Sequence, residues 1–141
     1  MKKWWRRRQD LEQVRWLAAK LLDEALRVFG VLQAAVHLDD PRFDHELRER
    51  FRVTSLDVLD DVACLASLAG AAPSWPPLPR AAAPAPDRGE PPSWIAVEAL
   101  SDYTQRLAAV ALVSADRDDQ AAMTFARLAA AAEARIEVLA S

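Results

Sequence analysis

The chain has 141 residues, of which 52% are hydrophobic and 28% are charged, so it can bury one sizeable core as a single domain. The single cysteine excludes an internal disulfide, and no stretch is long and apolar enough to be a transmembrane segment. No continuous apolar stretch follows the basic residues at the start, which argues against a secretion signal, and we expect a cytoplasmic location.

Residues 1–8 form a basic, aromatic head that differs from the rest of the chain. Its cations contribute +5 to a net charge of −3, so the remaining residues carry −8. Cations attract phosphate groups, and exposed aromatic rings stack on bases or insert at a membrane interface. We therefore predict that the head binds nucleic acid or an anionic surface; a solvated helix start that covers the bundle end is the alternative. The predicted binding residues are Lys2, Lys3, Trp4, Trp5, Arg6, Arg7 and Arg8.

The apolar residues that follow the head predict a first helix over residues 9–38. From Leu11 they recur with a heptad rhythm, which is typical of a long amphipathic helix with one broad buried face. Asp40 suits an N-cap and Pro41 suits a first helical position, so they predict a short turn and a second helix over residues 41–69. A turn this short makes the two helices antiparallel.

The second helix is expected to change direction or phase halfway along. Thr54 and Ser55 favour helix caps over helix interiors, so they predict a kink or a one-residue phase shift near Val53. The expected buried face of this helix comprises Phe43, Leu47, Phe51, Leu59, Val62, Ala63 and Ala66.

A proline-rich connection over residues 71–92 separates two halves of the chain, and it contains eight of the nine prolines. Its extended chain reaches roughly 70 Å at about 3.1 Å per residue, whereas the second helix is on the order of 40 Å long. We therefore predict a crossover that returns along the whole bundle, pinned by Trp75 and Trp94 at its ends. A proline-rich ligand for a partner protein is the alternative.

The second half predicts another helical hairpin. Ser93 is the expected N-cap of a third helix over residues 93–115, and a short turn leads to a fourth helix over residues 118–140. The fold class is therefore all-α, a four-helix bundle of two antiparallel helical hairpins joined by a long proline-rich crossover. The alanine-rich run from Ala129 to Ala132 would let a neighbouring helix approach closely, and we expect a homo-oligomer.

The hairpin from Ser101 to Leu139, which begins SDYTQRLAAVALVSADRDDQ, resembles the last two helices of ferritin-like proteins, in particular the miniferritins, the DNA-protecting starvation proteins. The segment VLDDVACLASLAG, from Val58 to Gly70, is similar to the end of that family's second helix, where an acidic pair begins a run that closes in a glycine. The resemblance covers about two-thirds of the chain. It implies a ferritin-like bundle that stores or detoxifies iron, and the head is similar to the basic tails by which some miniferritins hold DNA.

The resemblance also implies a metal site shared between subunits, built from two histidines of one and an aspartate and a glutamate of another. His45 and Asp60 fall at the positions of the second histidine and the aspartate, whereas Gln33 and Cys64 replace the other two ligands. Imidazole, carboxylate and thiolate groups are competent ligands for iron or zinc. His45, Asp60 and Cys64 are therefore the candidate metal ligands, with a chain that binds no metal as the alternative.

Two functions stay open at this point. One is a diverged miniferritin that stores or detoxifies iron and contacts DNA through its head. The other is a non-catalytic scaffold or protein-interaction subunit that kept the bundle and lost the metal site. Ferroxidase activity is not expected, because most of the family's ligands are missing. The sequence has no glycine-rich phosphate loop, CxxC or HExxH motif, so no catalytic residue is predicted.

Overall fold

The computed structural model describes residues 2–37, 41, 44–70 and 92–140, with the backbone alone at residues 2, 3, 92 and 93. Within these ranges the structure consists of four α-helices and contains no strand. The helices are α1 (Lys2–Val36), α2 (His45–Ala69), α3 (Pro92–Ser114) and α4 (Asp119–Ala140). The all-α prediction is confirmed, and the arrangement is compatible with a four-helix bundle. The connection over residues 71–91, and with it the predicted crossover, lies outside the described residues, but Trp94 is 61% exposed, so the prediction that it pins one end of the connection is wrong.

The first helix begins at Lys2 and not at Gln9, so the head is the first part of α1 and not a separate segment. Arginine, lysine, glutamine and glutamate are good helix formers, and neither proline nor glycine interrupts the sequence before Gly30. The helix therefore continues through the charged residues. It ends at Val36, close to the predicted end at Leu38.

The second helix is capped by Asp44 and not by Asp40. The Asp44 side chain accepts a hydrogen bond from the backbone N–H of Leu47 at 2.7 Å, which satisfies one of the unpaired donors in the first turn. The predicted start at Pro41 is therefore wrong, and Asp40 lies outside the described residues. At the other end, Gly70 has a φ of +71°, a left-handed conformation that glycine adopts without a steric penalty.

Of the kink or phase shift predicted near Val53, the phase shift is wrong, because α2 is one uninterrupted helix with a single buried face, and the kink stays a prediction. The hydroxyls of Thr54 and Ser55 donate to the backbone carbonyls of Arg50 at 2.8 Å and Arg52 at 2.7 Å, so both are satisfied inside the helix. The buried residues of α2 keep a spacing of three or four residues throughout; they are Phe51, Thr54, Ser55, Val58, Asp61, Val62, Leu65 and Ala66.

The second hairpin follows the prediction closely, but its caps differ. α3 begins at Pro92, so Ser93 lies inside the helix and the prediction of Ser93 as N-cap is wrong. The Asp118 side chain accepts from the backbone N–H of Ala121 at 3.1 Å and caps α4, which starts one residue later than predicted.

The four helices pack around one core. α1 pairs closely with α2 and α3 with α4, while α1 also lies beside α3 and α2 lies less closely beside α4. Phe51, Tyr103 and Phe125 are its largest fully buried side chains and come from three different helices. Each hairpin therefore buries its apolar face against the other hairpin, as a packed bundle requires.

The direction of α4 follows from its contacts with α2. Arg135 bonds to Asp61, and Val138, one turn further along α4, lines a groove with Glu49 and Val53, which lie earlier in α2. The two helices therefore run antiparallel.

Candidate functional site

A buried polar cluster joins three helices in the middle of the bundle. Asp61 of α2 is 2% exposed and accepts a hydrogen bond from the Tyr103 hydroxyl of α3 at 2.9 Å. Arg135 of α4 holds the same carboxylate with two bonds, from Nη1 to Oδ2 at 2.7 Å and from Nη2 to Oδ1 at 3.1 Å. Its Nη2 also donates to the backbone carbonyl of Asp57 at 3.3 Å. Asp61 thus links α2 to both helices of the second hairpin.

The electrostatics of this cluster favour the ion pair over neutral groups. Burial, reinforced by the negative charge and the hydrogen bond of Asp61, raises the pKa of Tyr103 well above its usual range. Burial alone would lower the pKa of Arg135, but the hydrogen bond to Asp61 and its charge outweigh burial, and the pKa of Arg135 is raised. Tyr103 therefore stays neutral and Arg135 stays charged at ordinary pH.

The sequence interpretation missed this cluster because it assigned the wrong phase to α2. The expected face ran through Leu59 and Ala63, whereas the buried face runs through Val58 and Asp61, and Ala63 is exposed. Reading Thr54 and Ser55 as part of the buried face would have placed Asp61 inside the bundle. Charged residues are almost never fully buried without a partner, so that placement would have implied a cation on a facing helix.

The three candidate metal ligands lie on α2 but do not converge within one chain. His45 is the first residue of the helix and is exposed, Asp60 is exposed, and Cys64 is half-buried. Fifteen residues of helix separate His45 from Asp60 by about 22 Å. No group of three or more histidine, cysteine, aspartate or glutamate side chains within the described residues could hold a metal ion. The shared site between subunits that the resemblance implies stays a prediction.

Gln33, which stands at the position of the family's first histidine, has a structural partner. Its Nε2 donates to the Ser55 hydroxyl at 2.8 Å and joins α1 to α2. Ser55 is buried and Gln33 is half-buried, so the bond satisfies polar groups that burial would otherwise penalise. This contact belongs to the packing of the first hairpin.

A groove of about 350 Å³ opens between α2 and α4, where these helices pack least closely. Arg135, which reaches from α4 towards Asp61, forms part of its wall. The lining residues are Glu49, Arg50, Val53, Thr54, Asp57, Ala134, Arg135 and Val138. The groove therefore lies between the buried cluster and solvent.

The head displays aromatic and cationic side chains on the surface of α1. Trp4 is 60% exposed and Trp5 is 57% exposed, and their ring centroids are 5.4 Å apart in an edge-to-face arrangement. The Arg8 guanidinium lies 5.7 Å from the Trp4 ring centroid, and Arg8 also pairs with Glu12 at 3.6 Å. Arg6 and Arg7 are exposed as well. The structure thus brings the predicted head residues from Trp4 onwards together, and Lys2 and Lys3 belong to the same helix.

The head also extends past the end of α2. Gly70 ends that helix beside Arg15, whose Nε would lie 3.7 Å from a Cβ added at Gly70. Val14 is the first buried side chain described in α1. About twelve residues of α1, roughly 18 Å, therefore precede the part that α2 covers.

None of the helices in the described ranges is long and apolar enough to cross a membrane. Comparisons with protein-family models, curated proteins and solved structures found no match for this chain.

Proposed function

We propose that this protein is a non-catalytic helical bundle that acts as a scaffold or protein-interaction subunit. One observation carries the proposal: the carboxylate in the middle of the bundle is fully engaged by protein groups. Both oxygens of Asp61 accept hydrogen bonds from Arg135, and one also accepts from Tyr103. The interior of the bundle is therefore stabilised by its own ion pair.

A metal centre at this place would have to compete with that pair. Ferritin-like centres use inward carboxylates and histidines on facing helices. A cation bound to Asp61 would displace the Arg135 guanidinium and leave it buried without its partner, a costly state. The arrangement therefore favours a structural role for Asp61 over a ligand role.

The fold itself supports a ferritin-like topology as part of the proposal. α4 runs antiparallel to α2, and the short turn between α3 and α4 makes those two helices antiparallel. α3 therefore runs parallel to α2, and a chain that joins two parallel helices must return along the bundle. The proline-rich connection over residues 71–91 is long enough for that crossover.

Metal analysis of the purified protein tests the proposal against iron storage. We expect far less than one iron or zinc per chain after incubation with either metal and desalting. A His45→Ala variant is expected to give the same content. Iron bound at one or more atoms per chain and lost in His45→Ala would overturn the scaffold role and support the diverged miniferritin.

Light scattering on the same samples adds the assembly state. We propose that this scaffold is a small, metal-free homo-oligomer. A large hollow cage that carries metal would contradict the proposal. A large cage without metal would support the scaffold role but contradict the small size of the proposed oligomer.

A further inference from the structure

We propose that the N-terminal segment of α1, residues 4–20, binds the surface of an anionic lipid bilayer. The inference goes beyond the scaffold role, because it assigns a partner to the bundle. It does not depend on whether the bundle binds metal.

The first observation is the amount of aromatic surface left in water along this segment. Trp4, Trp5 and Trp16 are each more than half exposed, at 60%, 57% and 59%, and Leu11 is 47% exposed. Large apolar side chains grouped on one stretch of surface are typical of an interaction site. Tryptophan in particular combines an apolar ring with a polar N–H, which suits the boundary between headgroups and acyl chains.

The second observation is how helical geometry distributes these residues. At 100° per residue, Trp5 and Trp16 differ by about 20° around α1, and so do Trp4 and Leu11. Trp4 and Trp5 together occupy one side of the first turns with Arg8 between them, over the Trp4 ring, while Arg6 and Arg7 occupy the other side. Tryptophans and cations that share one exposed stretch of helix suit a membrane interface, where rings enter the headgroup boundary and cations meet anionic headgroups.

The third observation is charge. Residues 1–20 contain seven lysines and arginines but two acidic residues, a net charge of +5, while the remainder of the chain carries −8. Glu12 is paired with Arg8. An anionic bilayer therefore attracts this segment and repels the body, so the electrostatics orient the molecule with α1 towards the lipid. Lys20 lies over the Trp16 ring at 5.5 Å, which extends the mixed aromatic and cationic surface along the helix.

The fourth observation is access. The first part of α1 extends past the end of α2, and its side chains from Trp4 to Gln13 are exposed apart from the half-buried Asp10. Because α2 ends before this part of α1, α2 does not stand between these side chains and a flat surface.

Duplex DNA fits the same surface less well. Its phosphates would attract the arginines, but its bases are stacked inside the duplex and would not cover the rings of Trp4 and Trp5. A bilayer interface takes up the tryptophans and the cations at once. The lipid surface is therefore the partner that uses both kinds of residue.

Single-tryptophan variants of the full chain test this inference by fluorescence. One variant keeps Trp5 with the other four tryptophans replaced by phenylalanine, and the matched control keeps Trp94, which is equally exposed at 61% but lies on α3. With vesicles of phosphatidylglycerol and phosphatidylcholine, we expect a blue shift for Trp5 and quenching by brominated acyl chains. Trp94 is expected to show neither. Equal responses from both tryptophans, or none from Trp5, would overturn the proposal.

Vesicle sedimentation separates the roles of charge and aromatic surface. Arg6→Gln with Arg7→Gln, and separately Trp4→Ala with Trp5→Ala, are each expected to lower the partition coefficient about tenfold. Trp94→Ala is the control that leaves it unchanged, and circular dichroism checks the fold of every variant. The unchanged protein is expected to bind vesicles of pure phosphatidylcholine, which carry no net charge, far more weakly than anionic vesicles. Tight binding to duplex DNA without binding to anionic vesicles would refute the lipid surface and establish nucleic acid as the partner.

Discussion

Asp61 decides how the interior of this bundle is built, because it is a carboxylate that is almost completely withdrawn from water. Such a group is tolerated only when a cation and hydrogen-bond donors satisfy it, and Arg135 and Tyr103 do so from two other helices. Its neighbour Asp60, which the family resemblance singled out, is exposed. One position along the helix thus separates a structural ion pair from a solvated side chain.

Removing Asp61 should be costly, whereas removing Asp60 should not. Asp61→Ala leaves the Arg135 guanidinium without its partner in a mostly buried place, and we expect a loss of about 3–5 kcal/mol in the free energy of unfolding. Asp60→Ala is the matched control, with an expected change within about 0.5 kcal/mol. Urea denaturation followed by circular dichroism measures both. Similar values for the two variants would show that the cluster does not stabilise the bundle.

Tyr103 provides an optical probe of the same cluster, because it is the only tyrosine of the chain. Its pKa is raised in the folded protein, so the unfolded state releases the phenolic proton first as the pH rises above about 10. The stability that this group contributes is therefore present below pH 10 and is lost above it. We expect tyrosinate absorbance at 295 nm to appear only together with alkaline unfolding. Absorbance that rises near pH 10 in folded protein would contradict the burial of Tyr103.

At the scale of the helices, the sequence predicted their number and order, and it failed mainly at their ends and at the phase of α2. Apolar periodicity is a strong signal for a helix, whereas caps depend on single side chains. Asp40 and Asp44 both precede helix-forming residues, and the structure uses Asp44. The preference of Thr54 and Ser55 for helix caps is a local property, which burial of both side chains inside the bundle overrides.

The choice of cap gives a prediction for α2. Asp44→Ala removes the acceptor for the Leu47 N–H, and we expect a loss of about 1 kcal/mol in the free energy of unfolding. Asp44→Ser should recover most of it, because serine is an equally good N-cap. Thermal denaturation of the three proteins makes the comparison. If Asp44→Ala matched the wild type, Asp44 would not be the cap.

At the scale of the whole molecule, neither hairpin has a complete core of its own. Phe51 belongs to the first hairpin, Tyr103 and Phe125 belong to the second, and all three are fully buried. The buried ion pair between α2 and α4 also crosses from one hairpin to the other. The two hairpins should therefore unfold together in one cooperative transition.

Phe125→Ala tests this cooperativity. Deleting a fully buried phenylalanine ring should cost about 3–5 kcal/mol, and the loss should lower protection from hydrogen exchange in α1 and α2 as much as in α3 and α4. Met123→Ala, on the same helix but 72% exposed, is the control with little expected effect. Loss of protection confined to α3 and α4 would show that the hairpins are independent units.

The sequence by itself determined the all-α class, the two hairpins and the basic, aromatic start, because periodicity, turn residues and charge are local properties of the chain. Only the tertiary structure decided that Asp61 and not Asp60 enters the core and that Arg135 neutralises it, since that pairing joins residues 74 positions apart. It also decided that the head continues α1 past the end of α2. The physical reason is the same in each case: burial and partners depend on which helix faces lie opposite one another, and local sequence does not contain that information.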